Sequence, residues 1–197
     1  MPKGIPLTEV EIDRRRHEIF HCSVALILKQ GFAGTSMQEI AEAAGVGKST
    51  LYDYFPSKDH VLLFVFEQEL DILQGQADGI AAQNIPVEEK LMKILEAQLE
   101  YLLNNKNFFT EIAMQLMQMG KDGQQSVMKK RYGYQDLLRG VLEQGVWEGV
   151  FRPVNTRLAT RTLLSIMEVL VYTTRPTGTP REMLVDAMDM FMHGIKA

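Results

Sequence analysis

The sequence predicts an all-α protein: a small N-terminal unit of three helices, followed by a larger helical C-terminal domain. Three observations carry this. Apolar residues recur at helical spacing along most of the chain, and alternating runs of strand length around Asn-Gly turns are lacking. Gly and Pro fall mostly at intervals that would separate helices. The 197 residues, 46% hydrophobic and 23% charged, have a globular composition and suffice to bury a sizeable core.

The elements follow in order. Thr8-Glu9-Val10-Glu11 has the form of a capping box and opens a helix that should run to about Gln30, where Gly31 stops it. Ser36-Met37-Gln38-Glu39 is a second such box and opens a short helix ending near Ala44. A third short helix spans about Lys48 to Tyr54, and Pro56 ends it. Ser57 then caps a fourth, from Lys58 to about Gln76. Gly75, Gly79 and Asn84-Ile85-Pro86 mark a boundary, so residues 1–57 and 58–197 are read as two domains. Further helices are expected at about 87–104, 107–119, 124–149, 156–174 and 181–195. The last is well started, with Thr179 as cap, Pro180 at the first helical position and Glu182 at the third.

Composition excludes several classes. The formal net charge of −4 gives no global basic signal for a polyanionic partner. Cys22 is the sole cysteine, which rules out an intrachain disulfide framework and a cysteine zinc cluster. The longest apolar run, Val61 to Phe66, is far short of the roughly 18 residues of a membrane span. The N-terminus carries no apolar segment of the secretory type. The expectation is a cytoplasmic protein with no membrane partner.

Residues 36–55, SMQEIAEAAGVGKSTLYDYF, read as a helix-turn-helix. Ile40, Ala41 and Ala44 share one face of the first helix, and small Ala41 lets the second cross closely. Gly45 can take positive φ at the turn without a Cβ penalty. Val46 would plug the angle, and Leu51 and Phe55 face the core. Lys48, Ser49, Tyr52 and Asp53 are left outward. Such a unit lays its second helix in the DNA major groove.

At these residues the chain resembles a known family. The stretch from about Thr8 to Phe66 is similar to the DNA-binding domain of TetR-type bacterial transcriptional regulators. The resemblance is carried by Gly31-Phe32, Thr35-Ser36-Met37, Ile40-Ala41, Ala44-Gly45-Val46, Thr50-Leu51-Tyr52, Tyr54-Phe55 and Ser57-Lys58. Gly145-Val146-Trp147-Glu148-Gly149-Val150-Phe151-Arg152-Pro153 also resembles the family's turn before its last two helices, which usually build a dimer.

The resemblance implies roles. Thr35, Ser36 and Gln38 would contact phosphate or a groove edge. Gly47, Lys48, Ser49 and Thr50 would lie at the groove end of the recognition helix. Tyr52 would contact a phosphate or a thymine methyl, and Tyr54 and Lys58 would hold the backbone. Lys48 is the candidate for a guanine contact, worth about 1–3 kcal/mol of discrimination. Two features depart from this pattern. Tyr54 stands where the family often has His, and Asp53 puts a negative charge in the recognition helix. Residues 1–60 hold seven Lys/Arg against eight Asp/Glu, so non-specific binding should be weak.

Other motifs have plainer readings. Arg14-Arg15-Arg16 reads either as a basic arm for a minor groove or as a solvated helix face among Glu9, Glu11, Asp13 and Glu18. His17-Glu18-Ile19-Phe20-His21 matches the H-E-x-x-H zinc signature. A catalytic zinc also needs a third protein ligand and an open cleft, and helical phase turns His17 towards the packed side. A helical zinc hydrolase through His17, Glu18 and His21 is therefore the rival reading; the preferred one has no catalytic residues, metal or cofactor. Gly45-Val46-Gly47-Lys48-Ser49 ends like a phosphate loop, but Glu42 stands where its first glycine belongs and no strand precedes it.

Ten of the twelve methionines lie beyond residue 60, and Met suits adaptable apolar pockets. Tyr101, Phe108, Met114, Met117, Trp147, Met167 and Tyr172 are candidates to line an inducer cavity. Glu111 and Glu168, on largely apolar helices, could meet a cationic ligand. The last helix shows the stripe Leu184, Ala187, Met188, Phe191 and Ile195, and the one before it is apolar nearly all round, including Leu163, Met167 and Leu170. A helix apolar on every side is buried on every side. Its outer face is therefore expected against a second subunit, in a four-helix interface of a two-fold homodimer. The expectation is a repressor that binds a palindromic double-stranded DNA operator as a dimer and is released by a small apolar or amphipathic inducer. The fourth helix would act as the lever between domains. A DNA-binding dimer with a solid core and no inducer is the alternative.

Overall fold

The computed structural model describes residues 9–118 and 121–196; the side chains of residues 9, 10, 114, 116–118 and 121–123 lie outside that description, as does Thr8 with its expected capping box. The described chain is helical. In order it forms α1 (Glu9–Gly34), α2 (Met37–Ala43), α3 (Lys48–Tyr54), α4 (Lys58–Ala81), α5 (Val87–Asn104), α6 (Lys106–Gln118), α7 (Lys121–Trp147), α8 (Thr156–Tyr172) and α9 (Pro180–Ile195). A single antiparallel bridge, Phe151 to Lys196, is the extended pairing among the described residues.

The chain divides into two compact units: Met1–Glu69 with Asn107–Val127, and Leu70–Lys106 with Met128–Ala197. In the first, Ile19, Ile27, Ile40, Ala41, Leu51, Phe55, Val61, Leu62 and Val65 are buried, joined by Phe108 and Ile112 of α6. Phe109 of α6 meets Phe66 edge-on, with ring centroids 6.1 Å apart. Each such Val, Leu, Ile or Phe side chain contributes about 1.5–3 kcal/mol by leaving water.

In the second unit, Leu73, Leu91, Ile94, Leu95, Leu138, Leu142, Phe151, Leu163, Met167 and Leu184 form one continuous core. Gly149, at φ 76, closes α7 by letting the chain turn back, and the Val150 N–H donates to the Gly145 carbonyl at 2.9 Å. The Arg152 N–H then donates to the Ile195 carbonyl at 2.8 Å, and the Arg152 guanidinium holds the Gly194 carbonyl, so the turn after α7 clasps the end of α9. The Thr179–Glu182 capping box that opens α9 is formed from both sides.

The sequence expectation differs from the structure at α4. Its predicted stop near Gln76 is overrun, and the helix continues through Gly75 and Gly79 to Ala81. Glycine inside a helix costs only about 1 kcal/mol relative to Ala, less than packing can return. Leu73 and Ala77, both buried on this stretch, supply that packing.

Candidate DNA-reading head and effector cleft

The head begins at a kink. Gly31 takes φ 75 and ψ 161 inside α1 and so breaks the helical hydrogen-bond ladder. The chain is then re-tied locally. The Thr35 hydroxyl donates to the Gly31 carbonyl at 2.8 Å, and the Thr35 N–H to the Phe32 carbonyl at 3.2 Å. One residue on, Ser36 caps α2. Its hydroxyl accepts from the Glu39 N–H, and the Glu39 carboxylate takes the Ser36 N–H at 2.8 Å. The Ser36 hydroxyl bond, then Gln30 and the Ser36 backbone, hold the Glu39 carboxyl below its ordinary range. It is therefore ionised at neutral pH, at the positive end of the α2 dipole.

Between α2 and α3 the turn is a Schellman motif. Gly45 sits at φ 65, its N–H donates to the Glu42 carbonyl at 3.1 Å, and the Val46 N–H donates to the Ala41 carbonyl at 2.9 Å. Ile40 and Ala41 are buried beneath it, with Leu51 and Phe55 of α3 and its cap. That burial fixes which face of α3 is free. Lys48, Ser49, Thr50 and Asp53 are exposed, Tyr52 is 43% exposed, Tyr54 is half-buried, and Gly47 forms the exposed cap. The N-terminal end of α3 thus presents one cation, two hydroxyls and bare backbone N–H groups, a donor-rich surface suited to phosphate and base edges.

Three expected contact residues are placed differently from the rest. Thr35 is 2% exposed with its hydroxyl committed to Gly31, so it shapes the corner rather than offering a surface donor. Lys58 turns back onto the α1 corner, where its ammonium donates to the carbonyls of Phe32 at 2.8 Å and Thr35 at 2.9 Å. It also lies 4.3 Å from the Phe32 ring centroid. Gln38 is exposed, with its amide on the Glu42 carboxylate at 2.6 Å.

Arg14 and Arg16 are exposed on α1 and Arg15 pairs with Glu18 at 3.0 Å, so the triplet is a solvated helix face rather than an extended arm. His17, expected on the packed side, is exposed, with Nδ1 at 2.8 Å from the Asp13 carbonyl oxygen. His21 is exposed as well and meets the Phe20 ring edge-on. Among the described residues no group of three His, Cys, Asp or Glu side chains is placed to hold a metal.

In the second unit a cleft of about 610 Å³ opens between α4 and α5, a volume ordinary for small-molecule sites. Gly75, Gln76, Gly79 and Ile80 of α4 line one side and Ala97, Glu100, Tyr101 and Asn104 of α5 the other, and Gln83 lines it as well. Of the expected cavity residues, Tyr101 lines it. Phe108, Trp147, Met167 and Tyr172 are placed elsewhere. Phe108 is buried in the first unit against Phe109, and Met167 is in the core of the second. Trp147 is 86% exposed, while Tyr172 lies on the surface beneath the Lys106 ammonium. The side chains of Met114 and Met117 lie outside the described residues. The cleft had a signal in sequence: two glycines four apart in an otherwise helical stretch, there read as a boundary.

The expected interface residues Leu163, Met167, Leu170, Leu184, Met188 and Ile195 are buried within the single chain, and Ala187 and Phe191 are half-buried. The face that α8 turns outward is a different one: Leu158, Thr162, Ser165, Val169 and Tyr172. Leu158 and Val169 on it are 62% and 65% exposed. Glu168 is exposed beside Val169, and Glu111 belongs to the head, where its carboxylate accepts the Phe32 N–H at 3.1 Å. No helix among the described residues is long and apolar enough to cross a membrane.

A three-helix head with one donor-bearing helix turned outward, followed by a helical domain with a cleft, is the architecture of a helix-turn-helix regulator. The chain belongs to the tetR family of bacterial regulatory proteins: the model of that family matches residues 19–65, and that of the tetracyclin repressor-like C-terminal domain matches residues 84–195. Among its relatives, the HTH-type transcriptional repressor KstR2 of Rhodococcus jostii (strain RHA1) is 28% identical over 174 residues, 84% of this chain and 82% of that one. Among solved structures, the regulator FadR from Bacillus subtilis in complex with stearoyl-CoA superposes with a TM-score of 0.76 at 21% identity, covering 91% of this chain and 98% of that one. AibR in complex with isovaleryl coenzyme A and operator DNA superposes at 0.66 and 20% identity, covering 89% and 97%. At these identities the two structures establish the shared fold.

Proposed function

We propose that this protein is a ligand-responsive transcriptional repressor, which binds a palindromic operator as a homodimer and leaves it when a small amphipathic effector binds. The single observation that carries the reading is the outward end of α3, where Gly47, Lys48, Ser49, Thr50 and Tyr52 form one exposed donor surface. Residues 1–57 read DNA in this proposal, and residues 58–197 hold effector and partner. Ser36 and Gln38, exposed at the start of α2, and Tyr54 flank the reading surface. Lys58 is assigned to the corner instead.

The effector is assigned to the α4–α5 cleft. Ile80, Ala97 and Tyr101 offer apolar contact, while Gln76, Gln83 and Asn104 offer amides. That suits a chain with internal amide or thioester groups, and the acyl-CoA complexes of FadR and AibR make acyl thioesters the class to try first. Glu100 also lines the cleft and, among the described residues, no cation does, so the phosphates of such a ligand are assigned to solvent.

The homodimer is assigned to the outward seam of α8. Leu158, Thr162, Ser165, Val169 and Tyr172 repeat at spacings of four and three, the pattern of a helix-pairing seam. The two heads would then read half-sites about 34–36 Å apart or a multiple. Regulation needs a differential affinity of about 1–3 kcal/mol between the two dimer shapes.

The reading carries no enzymatic step and places the protein in the cytoplasm with the chromosome. His17 and His21 are both exposed on α1, and metal analysis of purified protein decides the zinc-hydrolase alternative: stoichiometric zinc lost on changing His17 would revive it.

The direct test is selection of genomic fragments by the purified protein at moderate salt, followed by titration of the enriched sequence. Wild type should enrich one palindrome. Lys48→Ala should weaken it and, if Lys48 meets a phosphate, reduce the salt slope by about 1. Tyr52→Ala should weaken it with stability unchanged. Normal affinity in both variants would remove α3 from the interface. Stearoyl-CoA and stearate, added separately, test the effector class.

A further inference from the structure

Phe32 is held at both of its backbone polar groups, N–H and carbonyl. The kink at Gly31 takes the Phe32 N–H out of the α1 ladder, and burial of Phe32 keeps water from replacing the lost bond. The replacement comes from α6: Glu111 Oε1 accepts this N–H at 3.1 Å. The Phe32 carbonyl is held by the Lys58 ammonium at 2.8 Å. The Glu111 oxygen sits 3.4 Å from where a Gly31 side chain would begin, an ordinary contact, so it is the positive φ of the kink that calls for glycine.

Only four residues separate Phe32 from α2, and they are tied in series. Thr35 bonds back to Gly31 and Phe32, and Ser36 caps α2. The direction in which α2 leaves the corner, and with it the pitch of α3, depends on that corner staying folded. Glu111 is a long way from it in sequence, on a helix matched by the C-terminal family model yet packed in the same compact unit as the head. The chain passes between the units after the first residue of α6, at Lys106–Asn107, and again within α7, at Val127–Met128.

We infer that Glu111 is a positioning residue for DNA reading: from α6 it accepts the Phe32 N–H, fixes the α1–α2 corner, and so sets α3 for the groove. A shift of α6 changes the head through this bond. That last consequence rests on the effector-controlled reading above; the positioning role does not.

Three variants separate reach from charge. Glu111→Gln keeps an oxygen at the same reach and loses the charge. Glu111→Asp keeps the charge and is one methylene short. Glu111→Ala loses both. Amide exchange of the full-length protein reads the bond directly. The Phe32 amide should exchange at the wild-type rate in the Gln variant and about tenfold faster or more in the Asp and Ala variants. Affinity for the fragment enriched by wild type should follow the same order, falling about tenfold in Asp and Ala with an unchanged salt slope, because the phosphate contacts are the same in number.

The inference is overturned by unchanged Phe32 exchange in the Ala variant, by Gln behaving like Ala while Asp behaves like wild type, or by full DNA affinity where the amide has been freed. If wild type enriches no fragment, the DNA-binding proposal fails and the exchange order still decides whether Glu111 holds the corner. If DNA binding responds to Glu111 but wild type ignores stearoyl-CoA and stearate, the effector assignment fails and the positioning role stands.

Discussion

Lys58 and Thr35 are joined at 2.9 Å, ammonium to backbone carbonyl, in a part-buried contact between the first turn of α4 and the corner before α2. With the Phe32 carbonyl and ring as further partners, the lysine neutralises the carbonyl end of α1 where the Gly31 kink leaves it open. Lys58→Ala is therefore expected to destabilise the protein by about 2 kcal/mol, the scale of hydrogen bonds to a charged group. Urea unfolding checks it. Wild-type stability in this variant would return Lys58 to the list of free surface cations, available to a phosphate.

Tyr134 donates its hydroxyl to Gln98 Oε1 at 3.0 Å, both side chains buried. Burial pushes the phenol's pKa well above its ordinary value of 10.0. The folded value is raised above the unfolded one, so this contribution to stability is complete below pH about 10 and is lost as pH rises beyond it. Tyr134→Phe should cost about 1–3 kcal/mol at pH 7, because Gln98 is left unpaired. It should also flatten the alkaline decline of the urea midpoint. An alkaline limb parallel to wild type would place the sensitive group elsewhere.

Gly145 and Gly140 lie on the same helix and should respond oppositely to alanine. A Cβ at Gly145 would overlap the Phe151 ring, whereas one at Gly140 meets nothing within 4 Å. Gly145→Ala is expected to lose about 1–3 kcal/mol through overpacking. Gly140→Ala should gain up to about 1 kcal/mol from helix propensity. Thermal unfolding of both variants makes the comparison, and equal shifts would mean that the Phe151 contact is not tight.

Leu163 and Val169 divide the two faces of α8. Leu163 is fully buried in the core of one chain, so Leu163→Ala should cost about 2–5 kcal/mol in folding stability. Val169 faces outward at 65% exposure, so Val169→Glu should leave the fold intact and shift the protein to monomer in sedimentation. A Val169→Glu dimer of undiminished strength would move the interface off this seam.

Much of the fold was legible in the amino-acid order. Ser36 with Glu39, and Thr179 with Glu182, announced helix starts because a hydroxyl and a carboxylate three residues apart satisfy each other's backbone. Gly45 announced the turn because few other residues accept its φ. The outward residues of α3 followed from the inward ones. In each case the partners lie within a few residues, so local chemistry suffices.

The cleft and the outward face of α8 were not legible in this way. α8 is apolar on two sides, and periodicity cannot tell which side the chain itself will cover. The stripe through Leu163 and Met167 went inward, leaving the seam from Leu158 to Tyr172 outside. Gly75 and Gly79 read as breakers because a single strand of text does not include the packing that carries α4 past them. Phe108 and Trp147 looked alike as aromatic pocket candidates, and one is core while the other is solvent-exposed.

The sequence by itself determined the helices, their caps, the turn between α2 and α3, and the residues that α3 turns outward. Only the tertiary structure decided that Lys58 and Glu111, 53 positions apart in the chain, grip the backbone of the same residue, Phe32, because that pairing depends on where three helices cross. Periodicity and capping depend on neighbours at fixed short offsets. A carboxylate that finds an N–H left free by a distant kink depends on packing, which no local rule contains.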